Sequence, residues 1–264
     1  MSADPAESVQ PDFSTIEGDW ISVTGLSFGI SRVHTRRAGE GLIVHAYGAG
    51  GPGPDDWGSV DANGIFIMRP SAGFVFTAEF ENETMRRQLQ SYRSAGLLSV
   101  TGFHRFTDDS GRRDFFTREH YVRADRLRSV RKPPTRAGDD LLATLLSSGH
   151  DSSGLVGTWL PANPPAKVIA QLDCAPADGG LMVSVQGTGT DGPSDWGTTV
   201  ARLYADIADP RGLPAALATF DQGDRLVHLD FREHMGVLVV GEYTEFTDGS
   251  GRPDYFIREV YILA

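Results

Sequence analysis

Apolar and polar side chains alternate along much of the chain with a period of two. Leu42, Val44 and Ala46 alternate with Ile43, His45 and Tyr47, and Leu181, Val183 and Val185 alternate with Met182, Ser184 and Gln186. Residues two apart share one face of an extended chain, so these runs predict strands with one buried face. Clusters rich in Gly and Asp interrupt the runs: Ala38-Gly-Glu-Gly41, Asp61-Ala-Asn-Gly64, Asp109-Ser-Gly111, Asp178-Gly-Gly180 and Asp221-Gln-Gly223. Their spacing of about ten residues predicts a meander of hairpins. In the strand before Phe106, the residues Leu98, Val100, Gly102, His104 and Phe106 share a face. A later strand places Phe116, Arg118, His120 and Val122 together, matched by Phe256, Arg258, Val260 and Ile262. On this phasing His104 and His120 both point into the interior. His45 and Tyr47 point outward unless a bulge reverses them.

The pattern occurs twice. Gly18-Asp-Trp20 returns as Gly157-Thr-Trp159, Gly41-Leu-Ile-Val-His45 as Gly180-Leu-Met-Val-Ser184, and Pro54-Asp-Asp-Trp-Gly58 as Pro193-Ser-Asp-Trp-Gly197, all at an offset of 139. Phe106-Thr-Asp-Asp-Ser-Gly-Arg112 returns as Phe246-Thr-Asp-Gly-Ser-Gly-Arg252, and Arg118-Glu-His-Tyr-Val122 as Arg258-Glu-Val-Tyr-Ile262, at an offset of 140. Blocks conserved in order and spacing identify an internal duplication. The organisation read from it is a lead at 1–16, a first repeat at 17–124, a connector at 125–155 and a second repeat at 156–264. A basic run from Arg123 to Arg136 (Arg123, Arg126, Arg128, Arg131, Lys132 and Arg136) leads into the connector, which carries Pro133-Pro134, then Asp139–Leu146, which reads as a short helix. It reads as a solvated link, or as a partner for the acidic repeats.

Counting runs gives about eight strands per repeat, and a meander of that size removes its exposed edges by closing. The expected fold is all-β: two tandem antiparallel up-and-down β-barrels of about eight strands each. A Gly-x-Trp in the first strand together with an arginine in the last resembles the calycin superfamily of lipocalins, fatty-acid-binding proteins and avidins. Gly18 and Trp20 with Arg118, and Gly157 and Trp159 with Arg258, carry the resemblance. It implies that Trp20 and Trp159 each close one barrel end, with Arg118 and Arg258 packed across them.

The 31 glycines and 15 prolines among 264 residues fit turns and disfavour a helical bundle. A net charge of −11 disfavours nucleic acid as a partner, since phosphates would be repelled. No apolar run approaches bilayer length, so no membrane partner is expected. One cysteine, Cys174, permits no internal disulfide, and Met1-Ser-Ala-Asp-Pro-Ala-Glu7 has neither the basic nor the apolar region of a signal peptide. A cytoplasmic location is expected, with the oligomeric state, including a homo-oligomer, left open.

Few motifs carry chemistry. Gly48-x-Gly50-x-x-Gly53 and Gly187-x-Gly189-x-x-Gly192 match a dinucleotide fingerprint in letters, but acids and tryptophan follow where a helix is required, so they read as loops. Phe-Thr-Asp-x-Ser-Gly-Arg lacks the remaining ligands of a calcium loop and reads as a turn held by an Asp–Arg pair. Neither HExxH nor CxxC occurs, and no cofactor is expected. Asp56-Trp57-Gly58 and Asp195-Trp196-Gly197 place a tryptophan at a rim, either stacking on a ligand or plugging the end. The repeats differ most in histidine: His34, His45, His104 and His120 align with Asp173, Ser184, Thr244 and Val260. An interior histidine can act as an acid/base near neutrality.

The leading reading is intracellular binding of a small, apolar or amphipathic molecule in a barrel cavity, chiefly the first. Trp57, Asp56, Phe106, Phe116 and Trp196 are then the candidate ligand contacts. One alternative is a cofactor-independent cyclase or isomerase of natural-product biosynthesis that uses His104 or His120 as acid/base. Another is an interaction scaffold with filled barrels. A site between the barrels, with faces such as that of Ile43 and Met182 fused, is also open.

Overall fold

The computed structural model describes residues 13–23, 26–27, 29–49, 55–69, 73–94, 96–126, 135–136, 151–189, 192–207 and 213–264. The lead up to residue 12 and the helix expected at Asp139–Leu146 lie outside the described residues. Within them the chain is all-β, with three single-turn 3-10 helices and no α-helix. The first repeat contributes β1 (Gly18–Ser22), β2 (Leu26–Ser27), β3 (Ile30–Ala38), β4 (Gly41–Gly48), β5 (Asp55–Asp61), β6 (Gly64–Arg69), β7 (Phe74–Glu81), β8 (Met85–Ser94), β9 (Leu97–Phe106) and β10 (Phe115–Arg123). In the connector, β11 (Thr135–Arg136) pairs with β2. The second repeat contributes β12 (Gly157–Pro161), β13 (Ile169–Ala177), β14 (Gly180–Gly189), β15 (Gly192–Asp206), β16 (Ala215–Asp221), β17 (Arg225–His234), β18 (Val237–Phe246) and β19 (Tyr255–Leu263).

Hydrogen bonding is ring-like in both repeats. From β12 to β19 every strand pairs antiparallel with the next, and β19 returns to β12 through Trp159 and Leu263. In the first repeat β1 pairs with both β3 and β10, so its two ends also meet. There β4 pairs with β5 and β7 with β6. The second repeat spans the same positions with one 15-residue strand, β15. Asp61-Ala-Asn-Gly64 interrupts the first copy where Val200-Ala-Arg-Leu203 lets the second run on. The Asn-Gly turn signal therefore marks a break within one strand position, not the hairpin expected from it.

The inward faces form two apolar clusters. The first gathers Trp20, Val33, Val44, Phe76, Leu89, Leu98 and their neighbours; the second gathers Trp159, Leu172, Val183, Leu229, Leu238 and theirs. Trp20 and Trp159 are almost completely buried, and each indole N–H donates to the carbonyl four residues earlier, Ile16 at 2.8 Å and Leu155 at 2.9 Å. A single 3-10 turn ahead of each tryptophan presents that carbonyl.

The repeats are also joined edge to edge. β10 pairs in parallel with β15 (Phe115↔Ala205), and β19 pairs in parallel with β6 (Tyr255↔Ile67). Because β19 is the copy of β10 and β6 the copy of the end of β15, each junction is the counterpart of the other. Such a pairing is self-complementary, as across a two-fold axis. A single 17-stranded sheet results. The seam is thus made by these junctions and by the outer faces beside them, and not by the Ile43 and Met182 face, where Met182 stays 42% exposed.

The seam corrects the phasing of β10. Glu119 and Tyr121 face inward, where the Tyr121 hydroxyl donates to Glu119 at 2.8 Å and the Glu119 carboxylate accepts the Ile30 amide at 3.1 Å. Phe116, Arg118 and His120 lie on the opposite face, with Phe116 packed against Phe103 in a cluster that includes Tyr204 of the second repeat. Apolar residues occur on both faces of β10 because both are covered, one by the core and one by the other repeat.

Candidate functional site

Two regions gather polar and aromatic side chains: one end of the first repeat, and the seam. At that end His104, on the inward face of β9, is 2% exposed and lies parallel to Phe115, ring centroids 4.4 Å apart. Its Nε2 meets the Thr117 hydroxyl at 3.2 Å. Trp57 stands edge-on to His104 at 6.2 Å and to Phe80 at 5.9 Å, and the Arg87 guanidinium lies 4.5 Å over its ring. Phe106 joins through Phe115 at 5.9 Å. Burial, with a smaller contribution from Arg87, pushes the His104 pKa down to about 3. The imidazole is therefore neutral at physiological pH, with an arginine and a hydroxyl beside it.

The Asp-Trp-Gly motifs are turns in both copies. Asp56 and Asp195 each accept the amide two residues on, from Gly58 and Gly197, at 2.8 Å. Both glycines have positive φ, 80° and 83°. The preceding strand carries Gly48 or Gly187 because the indole lies on its backbone: a Cβ at Gly48 would stand 2.6 Å from Trp57 Nε1, and one at Gly187 would strike Trp196. Trp196 packs edge-on to Phe220 at 6.0 Å. In the first copy only, Asp56 also meets His45 Nε2 at 2.7 Å on the outer face, and the Gly58 amide and then His45 hold its carboxyl below the usual range.

The Phe-Thr-Asp-x-Ser-Gly-Arg segments are turns as well. Arg112 pairs with Asp108, and Arg252 with Asp248 at 2.6 Å; each guanidinium lies 3.9 Å over the ring of Phe106 or Phe246.

His120, Arg118 and Arg258 belong to the seam. His120 is exposed, and its Nδ1 meets the Ser99 hydroxyl at 2.8 Å. It is far in role from His104: the two occupy opposite faces of the sheet, which corrects the shared interior expected above. Arg118 does not pack across Trp20; Arg123 does, at 5.8 Å from the ring. Its copy in the second repeat is Leu263, beside Gly157. Arg118 instead reaches the second repeat, its Nη2 3.7 Å from Asp230 Oδ2, and donates from Nε to Thr101 at 3.1 Å. Arg258 reaches the first repeat, 5.1 Å over Tyr92.

Register explains this exchange. Gln90, Thr101 and Arg118 lie side by side on β8, β9 and β10, as Asp230, Gly241 and Arg258 do on β17, β18 and β19. Asp230 is the copy of Gln90, and Arg232 the copy of Tyr92. Gly241 is needed here, since a Cβ would collide with the Asp230 carboxylate. Next to this row, Phe66, Thr77, Gln90, His228, Tyr243 and Glu245 line a cavity of about 100 Å³ between the repeats. Gln90 is 3% exposed, and its Oε1 has no hydrogen-bond partner among the described residues. Such an atom costs about 1–3 kcal/mol when left dry, so its setting calls for a polar occupant. A larger cleft, about 450 Å³, opens where Arg112 and Asp114 meet Gly180, Arg202 and Leu203; Arg202 bridges to Asp114 at 3.3 Å.

Gln90, Tyr92, His228, Asp230, Arg232 and Tyr243 lie in none of the motifs that the sequence repeats. One faint signal pointed to them: Phe103 falls on the face of β9 opposite Leu98 and Val100; in the structure Leu98–His104 is buried throughout, because the strand is covered on both faces. Among the described residues, no group of three or more His, Cys, Asp or Glu is arranged to hold a metal ion, and no helix is long and apolar enough to cross a membrane.

No family model matches the chain, and no curated protein matches it. A solved structure of a DUF3598-family protein of unknown function from Nostoc punctiforme PCC 73102 is similar over 96% of this chain and 97% of its own, at 11% identity and a TM-score of 0.38. A likeness of that degree carries no argument about fold or activity.

Proposed function

We propose that this chain is a small-molecule-binding protein built from two calycin-like barrels, with its ligand site in the seam between them. The carrying observation is the buried, unpartnered Gln90 Oε1 on an inter-repeat cavity shared with Tyr243 and His228. Aromatic rings border the same region, with Phe66 5.3 Å and Phe256 4.6 Å from Tyr243. Rings beside a few convergent polar atoms suit an amphipathic ligand. The inward faces, by contrast, are filled mainly by packed apolar side chains, as small barrels commonly are, with a few buried polar groups such as Glu119 and Glu242 among them. His104 stands beside Arg87 and Thr117, and among the described residues it has no carboxylate partner of the kind an acid/base role would use. A cytoplasmic setting goes with this reading, in which Cys174 is a free, buried thiol.

Native mass spectrometry of the purified protein, backed by thermal shifts against a panel of neutral and acidic metabolites, tests the reading. A ligand lost in Gln90→Leu and retained in His104→Phe is the expected result. Retention in Gln90→Leu with loss in His104→Phe would return the site to the first barrel. No ligand in either measurement would favour the scaffold reading, for which the packed inward faces are the supporting observation.

A further inference from the structure

The seam contains an excess of cations beside the Gln90 cavity. Arg118, Arg232 and Arg258 converge on one carboxylate, Asp230, in a protein whose overall charge is −11. Depth is graded: His120 and Val260 are exposed, Arg232 and Arg258 half-buried, and Asp230 only 9% exposed. Arg232 lies two residues from Asp230 on the same face of β17, and its Nε is buried without a hydrogen-bond partner among the described residues. Asp230 stands 3.7 Å from Arg118, beyond hydrogen-bond distance, so it satisfies that guanidinium only in part. Asp206 is the other carboxylate that acts on Arg232, and Tyr243 is the neutral hydroxyl that faces Arg118 and Asp230. Burial above all, with smaller contributions from Arg258 and Arg232, pushes the Arg118 pKa down to about 10.

We propose that this cluster is an oxyanion subsite: the seam ligand carries a carboxylate or phosphate, which docks on Arg232, Arg258 and Arg118 with His120 at the rim. The inference rests on the seam reading above and adds the charge of the ligand. Guanidinium forks match oxyanions two donors at a time, and three of them around one carboxylate leave donors to spare. Asp230 is a built-in competitor that holds the arginines in place while the subsite is empty. The duplication produced the site: position 230 is glutamine in the first repeat and 232 is tyrosine, so the cluster exists on one side of the seam only.

Inorganic phosphate and acetate, each against chloride at matched ionic strength, are the probes, followed by calorimetry and thermal shift on the full chain. The wild type is expected to be stabilised by one or both oxyanions and not by chloride. Arg232→Gln and Arg258→Gln should weaken binding about tenfold or more, while Arg37→Gln, remote from the seam, leaves it unchanged. Asp230→Asn should tighten binding several-fold, an opposite sign that mere destabilisation cannot produce. The phosphate-to-acetate preference then separates a phosphorylated ligand from a carboxylic acid. Equal affinity in wild type and Arg232→Gln, weakening in Asp230→Asn, or no response to either oxyanion overturns the proposal. If a neutral ligand sensitive to Gln90→Leu is found in that last case, the seam reading survives without its anion; if none is found, both fall.

Discussion

Glu242 shows how strongly one inward-facing position can tie stability to pH. It takes the place of Gly102, is 3% exposed and accepts a hydrogen bond from the Thr244 hydroxyl at 2.9 Å. Burial above all, helped by Glu259, raises its pKa from 4.5 to about 7. Between those values the folded chain holds a proton that the unfolded chain releases, so stability falls as pH rises through that window. The difference is on the order of 3 kcal/mol. Urea unfolding should show wild type losing that much relative to Glu242→Gln between pH 4.5 and 7; a pH-independent difference would contradict it. His104 has the opposite sign. Its pKa near 3 means that only the unfolded chain gains a proton as pH falls below 6.5, so stability is lost on acidification. Its ring signals in NMR should not titrate between pH 8 and 4.5. The interior position of His104 could be read from the alternation of β9. Its neutral state could not, because Arg87 and Phe115 reach it from other strands.

At the scale of elements, close approach explains the glycines that mimic a nucleotide motif. Gly48 and Gly187 give backbone surface to an indole, so Gly48→Ala and Gly187→Ala should each cost about 1–3 kcal/mol, read by thermal unfolding. Strand existence, the hairpin turns at Asp108 and Asp248, and the duplication were all present in the local pattern. The faces of β10 were not: alternation identifies an interior only where the other face meets water, and here Phe116 and Phe115 are equally buried. The arginines at 118 and 258 were found for the same reason that they were misplaced. They are repeated, but their partners, Asp230 and Tyr92, lie across a contact that strand periodicity does not encode.

For the whole molecule, duplication has done more than double a domain. Joining β10 to β15 and β19 to β6 buries Phe103, Phe116, Tyr204, Tyr243 and Phe256 between the repeats. Phe116→Ala should destabilise the full chain by about 3–5 kcal/mol, as for a core aromatic, although it lies outside the inward cluster. An effect under 1 kcal/mol would mean that the repeats hold together by other means. Asp230→Asn, which strips the three arginines of their shared carboxylate, should likewise cost about 3–5 kcal/mol, and Arg118→Gln less, since Arg232 and Arg258 still face Asp230. The most direct test of the central claim is amide chemical-shift mapping of the full chain during a phosphate titration. The seam account predicts perturbations confined to 90–92, 116–120, 228–232, 241–245 and 256–260. Perturbations centred instead on Val44, Trp57, Ala78, Phe80 and His104 would place the ligand inside the first barrel and contradict it.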